Sequence, residues 1–175
     1  MKFLCVGQAM CDLYLHPVTP DVFNGKNHQL DGIGVYGGGD ANNASIDLVK
    51  IGNEVALATG IGMDAFGNQV MQQLQEAGVD TRFVSRRNDL PTSVHAILLG
   101  SENTRGNCFL RGTAQAVTRA DIPDEAIEWA DHIHMVSVLS QPLLDGDGIA
   151  SIMAHAKACG KTTSMDLQLS PSRKE

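Results

Sequence analysis

The sequence predicts an α/β fold with a mainly parallel central sheet and a smaller group of strands standing apart from it. Two observations carry that expectation. Short apolar runs alternate with stretches of helical period, and strands separated by helices of this length need crossover connections, hence parallel neighbours. Two stretches, about residues 13–36 and 92–112, break the alternation, with β-type residues spaced by Gly, Asn and Pro and no helical period. They read as antiparallel strands set apart from the main sheet as a flap.

The elements follow in order. Phe3-Leu4-Cys5-Val6 is a buried strand that closes at Gly7. Ala41 to Ile51 is a helix, with Ala41, Ala44, Leu48 and Ile51 at helical spacing and Gly52 ending it. Val55 to Thr59 is the next strand. Asp64 caps a helix whose Phe66, Val70, Leu74 and Ala77 share one face, stopped by Gly78. Thr81 to Ser85 is a short strand, and Ser85-Arg86-Arg87-Asn88-Asp89 a solvated turn. Asp124 to Ala130 is a short helix and Ile133 to Val138 a strand. Ile149, Ile152, Met153 and Ala156 mark a helix closed by Gly160, and Thr162 to Asp166 is a strand. Met135, Met153 and Met165 read as core filler. Only nine residues follow Asp166. The pattern therefore predicts a fold whose C-terminal part lies outside this chain.

At 175 residues the chain suffices for one domain with a real core. Its net charge of −7 gives an acidic surface that repels phosphate backbones. Neither nucleic acid nor an anionic membrane is expected as a main partner, while a small anionic ligand stays compatible. Cys5, Cys11, Cys108 and Cys159 form no C-x-x-C pair and sit in apolar flanks, as reduced, mostly buried thiols do. The apolar run at the start is too short for a signal segment, and no stretch is long enough to span a bilayer. A cytoplasmic protein is expected.

The stretch richest in chemistry is Gly37-Gly38-Gly39-Asp40-Ala41-Asn42-Asn43-Ala44-Ser45. Consecutive glycines let backbone amides approach a ligand with no Cβ in the way. A helix starts at once, so its free N–H groups point back at the loop. Asp40, Asn42 and Asn43 mix acceptors with donors, which suits a polyol whose hydroxyls do both. A tight loop with a helix cap and nothing bound accounts for the same spacing. Gly32, Gly34 and Gly37 also spell G-x-G-x-x-G. A dinucleotide fingerprint must follow a strand and open a helix. This string does neither, so an NAD-binding domain is the lesser alternative. His132 and His134 share a strand face without a third ligand nearby, so no metal site is expected.

Gly38-Gly39-Asp40-Ala41-Asn42-Asn43-Ala44-Ser45 followed by Gly52 resembles the first signature of the ribokinase-like (PfkB) carbohydrate kinases. Gly7-Gln8-Ala9-Met10-Cys11-Asp12 is similar to that family's first strand and turn. Gly60-Ile61-Gly62-Met63-Asp64-Ala65-Phe66-Gly67 resembles its structural G-x-x-G-x-D-x-x-G stretch, and Leu110-Arg111-Gly112-Thr113-Ala114 the segment leaving its lid. The resemblance spans essentially the whole chain. It implies a three-layer α/β/α fold with a mainly parallel sheet and a small β-sheet lid, one incomplete domain over residues 1–175. It implies that Asp12, the Gly38 and Gly39 backbone and Asn43 bind a sugar or sugar acid, with Arg111 as a weaker candidate. Asp12 reads otherwise as a turn former and Arg111 as a solvated cation. The resemblance also implies pairing of two copies through the lid.

ATP and Mg²⁺ are implied as cofactors, with their sites largely absent from this chain. The sequence holds no Asp-Thr-x-Gly-Ala-Gly-Asp string, the family's second signature, whose last Asp takes the proton from the attacking hydroxyl. No catalytic residue is therefore expected here. Asp166 matches the family's Asp-x-Asn-x-Arg strand end, but Gln168 stands for its Asn and Ser170 for its Arg, with Arg173 a distant substitute. Two functional readings result. One is the sugar-binding part of a carbohydrate kinase, inactive alone. The other is a non-catalytic binding or oligomerisation module, or a truncated gene product. The Gly-Gly-Asp-Ala run leans toward fructose or ketodeoxygluconate, with a nucleoside as a further option.

Overall fold

Strands buried on both faces read as near-continuous apolar runs, and Leu4-Cys5-Val6 is such a run, fully buried. It forms the middle of the fold. The computed structural model describes residues 1–25, 27–101 and 104–168. In chain order these form β1 (Lys2–Val6), β2 (Met10–His16), β3 (Gly32–Gly38), α1 (Asp40–Lys50), β4 (Glu54–Gly62), α2 (Ala65–Glu76) and β5 (Val84–Arg87). Then come β6 (Val94–Leu99), β7 (Arg105–Leu110), α3 (Asp124–Trp129), β8 (His132–Val138), α4 (Asp147–Ala158) and β9 (Thr162–Leu167). The central sheet has the order β5-β4-β1-β8-β9, and its pairings are all parallel. The α/β fold with a parallel central sheet and a separate small sheet is the one expected.

Alternate residues of the inner strands enter two different cores. Leu4, Val6, Ala56, Ala58, Ile133 and Met135 pack with Ile127 of α3 and Ile152 of α4. Cys5, Val55, Leu57 and Ile61 pack on the other face with Val70 and Leu74 of α2 and Ala41 of α1. The period of two along each strand thus produces three layers.

The small sheet runs β3-β2-β6-β7. Its pairs β2–β3 and β6–β7 are antiparallel as expected, but β2 and β6 are parallel, with Cys11 opposite Val94 and Leu15 opposite Leu98. Both strands leave the core side in the same direction, so the two antiparallel pairs join through a parallel seam. The Gly32-x-Gly34-x-x-Gly37 string lies inside β3, so no strand-to-helix turn exists there for a dinucleotide.

Other expectations change. Ser85, Arg86 and Arg87 are strand, not turn, because they continue the ladder opposite Gly60, Ile61 and Gly62. The turn comes earlier, where Val84 N–H donates to Thr81 O at 3.0 Å. Met165 is 45% exposed, since β9 is an edge strand open on both faces. Cys108 and Cys159 are exposed, while burial pushes the Cys5 and Cys11 thiols up to about 11. Ser170 and Arg173 lie outside the described residues. Among those described, no helix is long and apolar enough to cross a membrane.

Asp64 is the cap that its sequence position promised. Its Oδ1 accepts from Gly67 N–H at 2.8 Å and Thr92 Oγ1 at 2.7 Å, and its Oδ2 from Thr92 N–H at 2.8 Å. Burial alone would raise this carboxyl, but the Thr92 and Gly67 hydrogen bonds and the Arg86 charge hold it below its usual value. Its stabilising effect is therefore full above the ordinary Asp range and is lost as pH falls through the lowered value. Asp64→Ala is expected to cost about 2 kcal/mol, a cap plus a bridge to Thr92. Urea melts at neutral pH check this, and the variant's deficit should shrink in acid. An unchanged midpoint would show that the bridge adds nothing.

Candidate functional site

In open parallel sheets ligands lodge at the carboxyl ends of the strands. Here that end meets the N-terminus of α1 and the small sheet. Between them lies a cavity of about 480 Å³. Gln8 beyond β1, Ser140 beyond β8 and Gln168 beyond β9 line it from the central sheet. Gly39 and Asp40 line it from α1, and Met10, His95, Phe109 and Leu110 from the small sheet. Arg111 lines it too, its Nη1 donating to Gln115 Oε1 at 3.1 Å. A second, more open groove is lined by Asp12, Tyr14, Tyr36, Gly37 and Asn43.

Four of the five sequence-predicted residues divide between two neighbouring concavities, and Gly38 lines neither. Asp12 and Asn43 share the groove, and Gly39 and Arg111 share the cavity. Asp12 joins the two, because its Oδ1 lies 3.6 Å from Nδ1 of His95, which lines the cavity. Gly38 backs directly onto that carboxylate: a Cβ there would fall 2.3 Å from Asp12 Cγ. Gly39 adopts φ 89° and ψ 146°, close to a region only glycine populates, and a Cβ would meet Gln8 O at 2.6 Å. The close approach lets Ala41 N–H donate to Gln8 O at 3.1 Å, which ties α1 to the end of β1.

Asp12 is half-buried, and its Oδ1 has no hydrogen-bond partner among the described residues. Burial raises this carboxyl above its usual value, against the pull of His95 and Arg105. A buried carboxylate oxygen without a donor is costly unless something else supplies one. His95 is held in place by Phe109, stacked on it at 4.2 Å between ring centroids, and by Asn107 Oδ1 at 2.9 Å from Nε2. Asn42 differs from its neighbour. It is fully buried and donates to Asn43 Oδ1 at 3.1 Å, so it supports the loop from within.

Sequence reasoning missed the polar floor of the cavity. Gln8 Nε2 donates to Ser140 O at 3.1 Å and Ser140 Oγ at 2.9 Å, and Ser140 Oγ lies 3.0 Å from Gln168 Oε1. The chain leading to Ser140 is strained, with Ser137 near the end of β8 at φ 56° and Leu139 just beyond it at φ 77°. Asp145 holds it there by accepting from Leu139 N–H at 2.9 Å and Gln141 N–H at 3.0 Å. Ser137 Oγ donates to Asp40 at the start of α1. His95, Phe109 and Ser140 carried no sequence signal of their own, because the β6–β7 pair brings the first two and the turn after β8 the third.

The whole chain, residues 1–175, matches the pfkB family carbohydrate kinases. The chain belongs to that family. A 2-dehydro-3-deoxygluconokinase of Bacillus subtilis is 27% identical over 143 residues, 77% of this chain and 43% of that protein. An ATP-dependent ribose-1-phosphate kinase of Halopiger xanaduensis is 29% identical over 130 residues, 74% of this chain and 42% of that protein. Among solved structures, a fructokinase from Xylella fastidiosa superposes with a TM-score of 0.79 at 24% identity, covering 99% of this chain and 53% of that one. An Arabidopsis thaliana ribokinase complexed with ribose and ATP gives 0.77 at 20% identity, covering 94% and 52%. The pfkB chain described here thus spans about half the length of the relatives it matches.

The Xylella fructokinase has also been solved with bound ATP, and a ribokinase II from E. coli with ATP and Mg²⁺. A triphosphate needs several donors or cations converging on it. Here the first turn of α1 carries the acidic Asp40, and Arg111 is the one Lys or Arg among the cavity's described lining residues.

Proposed function

We propose that this chain holds a sugar or sugar acid for phosphorylation of one of its hydroxyls by ATP. The observation that carries the reading is the buried, unpartnered Asp12 oxygen beside Gly38, in the groove it shares with Asn43. A carboxylate there accepts hydrogen bonds from two adjacent hydroxyls, and the Asn43 amide both donates and accepts. The Gly38 and Gly39 backbone gives the ring a surface without side chains. Arg111, on the cavity side, would pair with the carboxylate of a sugar acid. The reactions named for the relatives, on 2-dehydro-3-deoxygluconate, ribose 1-phosphate and fructose, support this substrate class.

Positioning a hydroxyl contributes to phosphoryl transfer, but it replaces neither the base nor the charge clamp. The sequence has no Asp-Thr-x-Gly-Ala-Gly-Asp string to supply them. We therefore expect this polypeptide alone to bind sugar without phosphorylating it, which is also what a purely binding module would do. A thermal-shift series with fructose, ribose and 2-dehydro-3-deoxygluconate tests the first half, since a ligand that binds only the folded state raises the midpoint. At least one should do so. If none does up to high millimolar concentration, the pocket assignment fails. Phosphorylated product from the pure chain with Mg-ATP would overturn the second half.

A further inference from the structure

His155 and Cys159 stand four residues apart, one at the end of α4 and the other at its C-cap, where Cys159 N–H donates to His155 O at 3.0 Å. That spacing puts both side chains on one helix face. Glu128 of α3 faces them, its Oε1 3.5 Å from His155 Nε2. One ligand atom from each of Glu128, His155 and Cys159 lies within 4.8 Å of the other two. His155 Nε2 itself is buried and has no hydrogen-bond partner among the described residues.

We propose that Glu128, His155 and Cys159 form a Zn²⁺ site that ties α3 to α4, with its fourth position open to water or a small ligand. The donor set is the argument. Thiolate sulfur, imidazole nitrogen and carboxylate oxygen together suit zinc better than the hard, all-oxygen cations. Zinc–ligand bonds of about 2.0–2.3 Å place tetrahedral ligand atoms about 3.3–3.8 Å apart, so a modest closing of exposed side chains completes the geometry. A thiolate and a carboxylate balance the charge of the ion. The unpartnered His155 nitrogen is then the ligand atom. The backbone around the site is already held, since Lys161 Nζ donates to Glu128 O at 2.7 Å. Asp124, one turn before Glu128, is paired with Arg119 and is not counted as a ligand. Cys159 lies just before β9 begins, at the opposite end of the sheet from the sugar cleft. The site is therefore independent of the reading given above.

Cobalt(II) is the probe, because a cobalt–thiolate bond gives a charge-transfer absorption in the near ultraviolet. Titration of the 175-residue chain is expected to develop that band at one equivalent, and zinc to displace it. Cys159→Ser should abolish the band, His155→Ala should weaken binding tenfold or more, and Cys108→Ser should leave both unchanged. On the unmodified chain, Zn²⁺ should slow alkylation of Cys159 but not of Cys108. Absence of the band, its survival in Cys159→Ser, or equal alkylation rates with and without zinc would each overturn the site.

Discussion

Asp12→Ala is expected to weaken sugar binding about 1000-fold while leaving the fold intact. Two hydrogen bonds from sugar hydroxyls to a carboxylate, each about 2 kcal/mol, account for a loss of that size. The substitution also removes a half-buried charge whose burial opposes ionisation, so the free protein should not lose stability and is expected to gain a little. That opposite movement of affinity and stability is the diagnostic. A merely structural Asp12 would lower both. Since the carboxyl is raised above its usual value, binding should also weaken as pH falls through that raised value, and Asp12→Asn should remove the dependence. Calorimetric titration of the sugar that shifts the midpoint measures the first effect, and a urea melt the second. An affinity within threefold of the parent would take Asp12 out of the site.

Gly39→Ala should be strongly damaging. The new Cβ meets a backbone oxygen, Gln8 O, at 2.6 Å, and the backbone sits at φ 89° where L-residues are strained. Strain of this kind costs about 1–3 kcal/mol, and the displaced Ala41-to-Gln8 hydrogen bond adds about 1 kcal/mol. We expect a loss of about 3–4 kcal/mol in a urea melt, together with loss of any sugar-dependent shift. Gly52→Ala is the control. Gly52 also has positive φ, but open space surrounds its Cβ position, so only the conformational part of the cost should remain. Equal losses in the two variants would mean that contact with Gln8 does not matter.

Regular periodicity made the central fold legible. Ala41, Val70, Leu74 and Ile152 occupy core positions that their helical spacing assigned, whereas Ile51 and Phe66, placed by the same spacing near the helix ends, are exposed. Asp64 was legible because a cap is a local device. The errors arose where pairing, not propensity, decides. Nothing in Ser85-Arg86-Arg87 announces a strand until Gly60, Ile61 and Gly62 are seen alongside. The parallel meeting of β2 and β6 joins residues far apart in the chain, which no local pattern encodes. The site divides in the same way. Gly38, Gly39 and Asn43 lie in one run and could be read together, whereas His95, Phe109 and Ser140 are gathered only by folding. Glu128, His155 and Cys159 are the extreme case, since only the packing of α3 against α4 makes them neighbours.

The register of the small sheet has a mechanical consequence. Met10 lies opposite Gly38, Cys11 opposite Val94, and Val94 opposite Leu110. All four points at which its strands join the rest of the chain therefore fall along one border. A plate fastened like an awning along a single rail tilts about that rail more easily than it slides, and here α2, packed against Leu13 and Val35, limits the tilt on one side. Sliding and twisting would have to stretch the fastenings. Asp12, Tyr36, His95 and Phe109 lie in one row across the plate, close to the rail. Any movement that widens or narrows the cleft must swing them together through a short arc, so their mutual spacing is preserved while the mouth changes size.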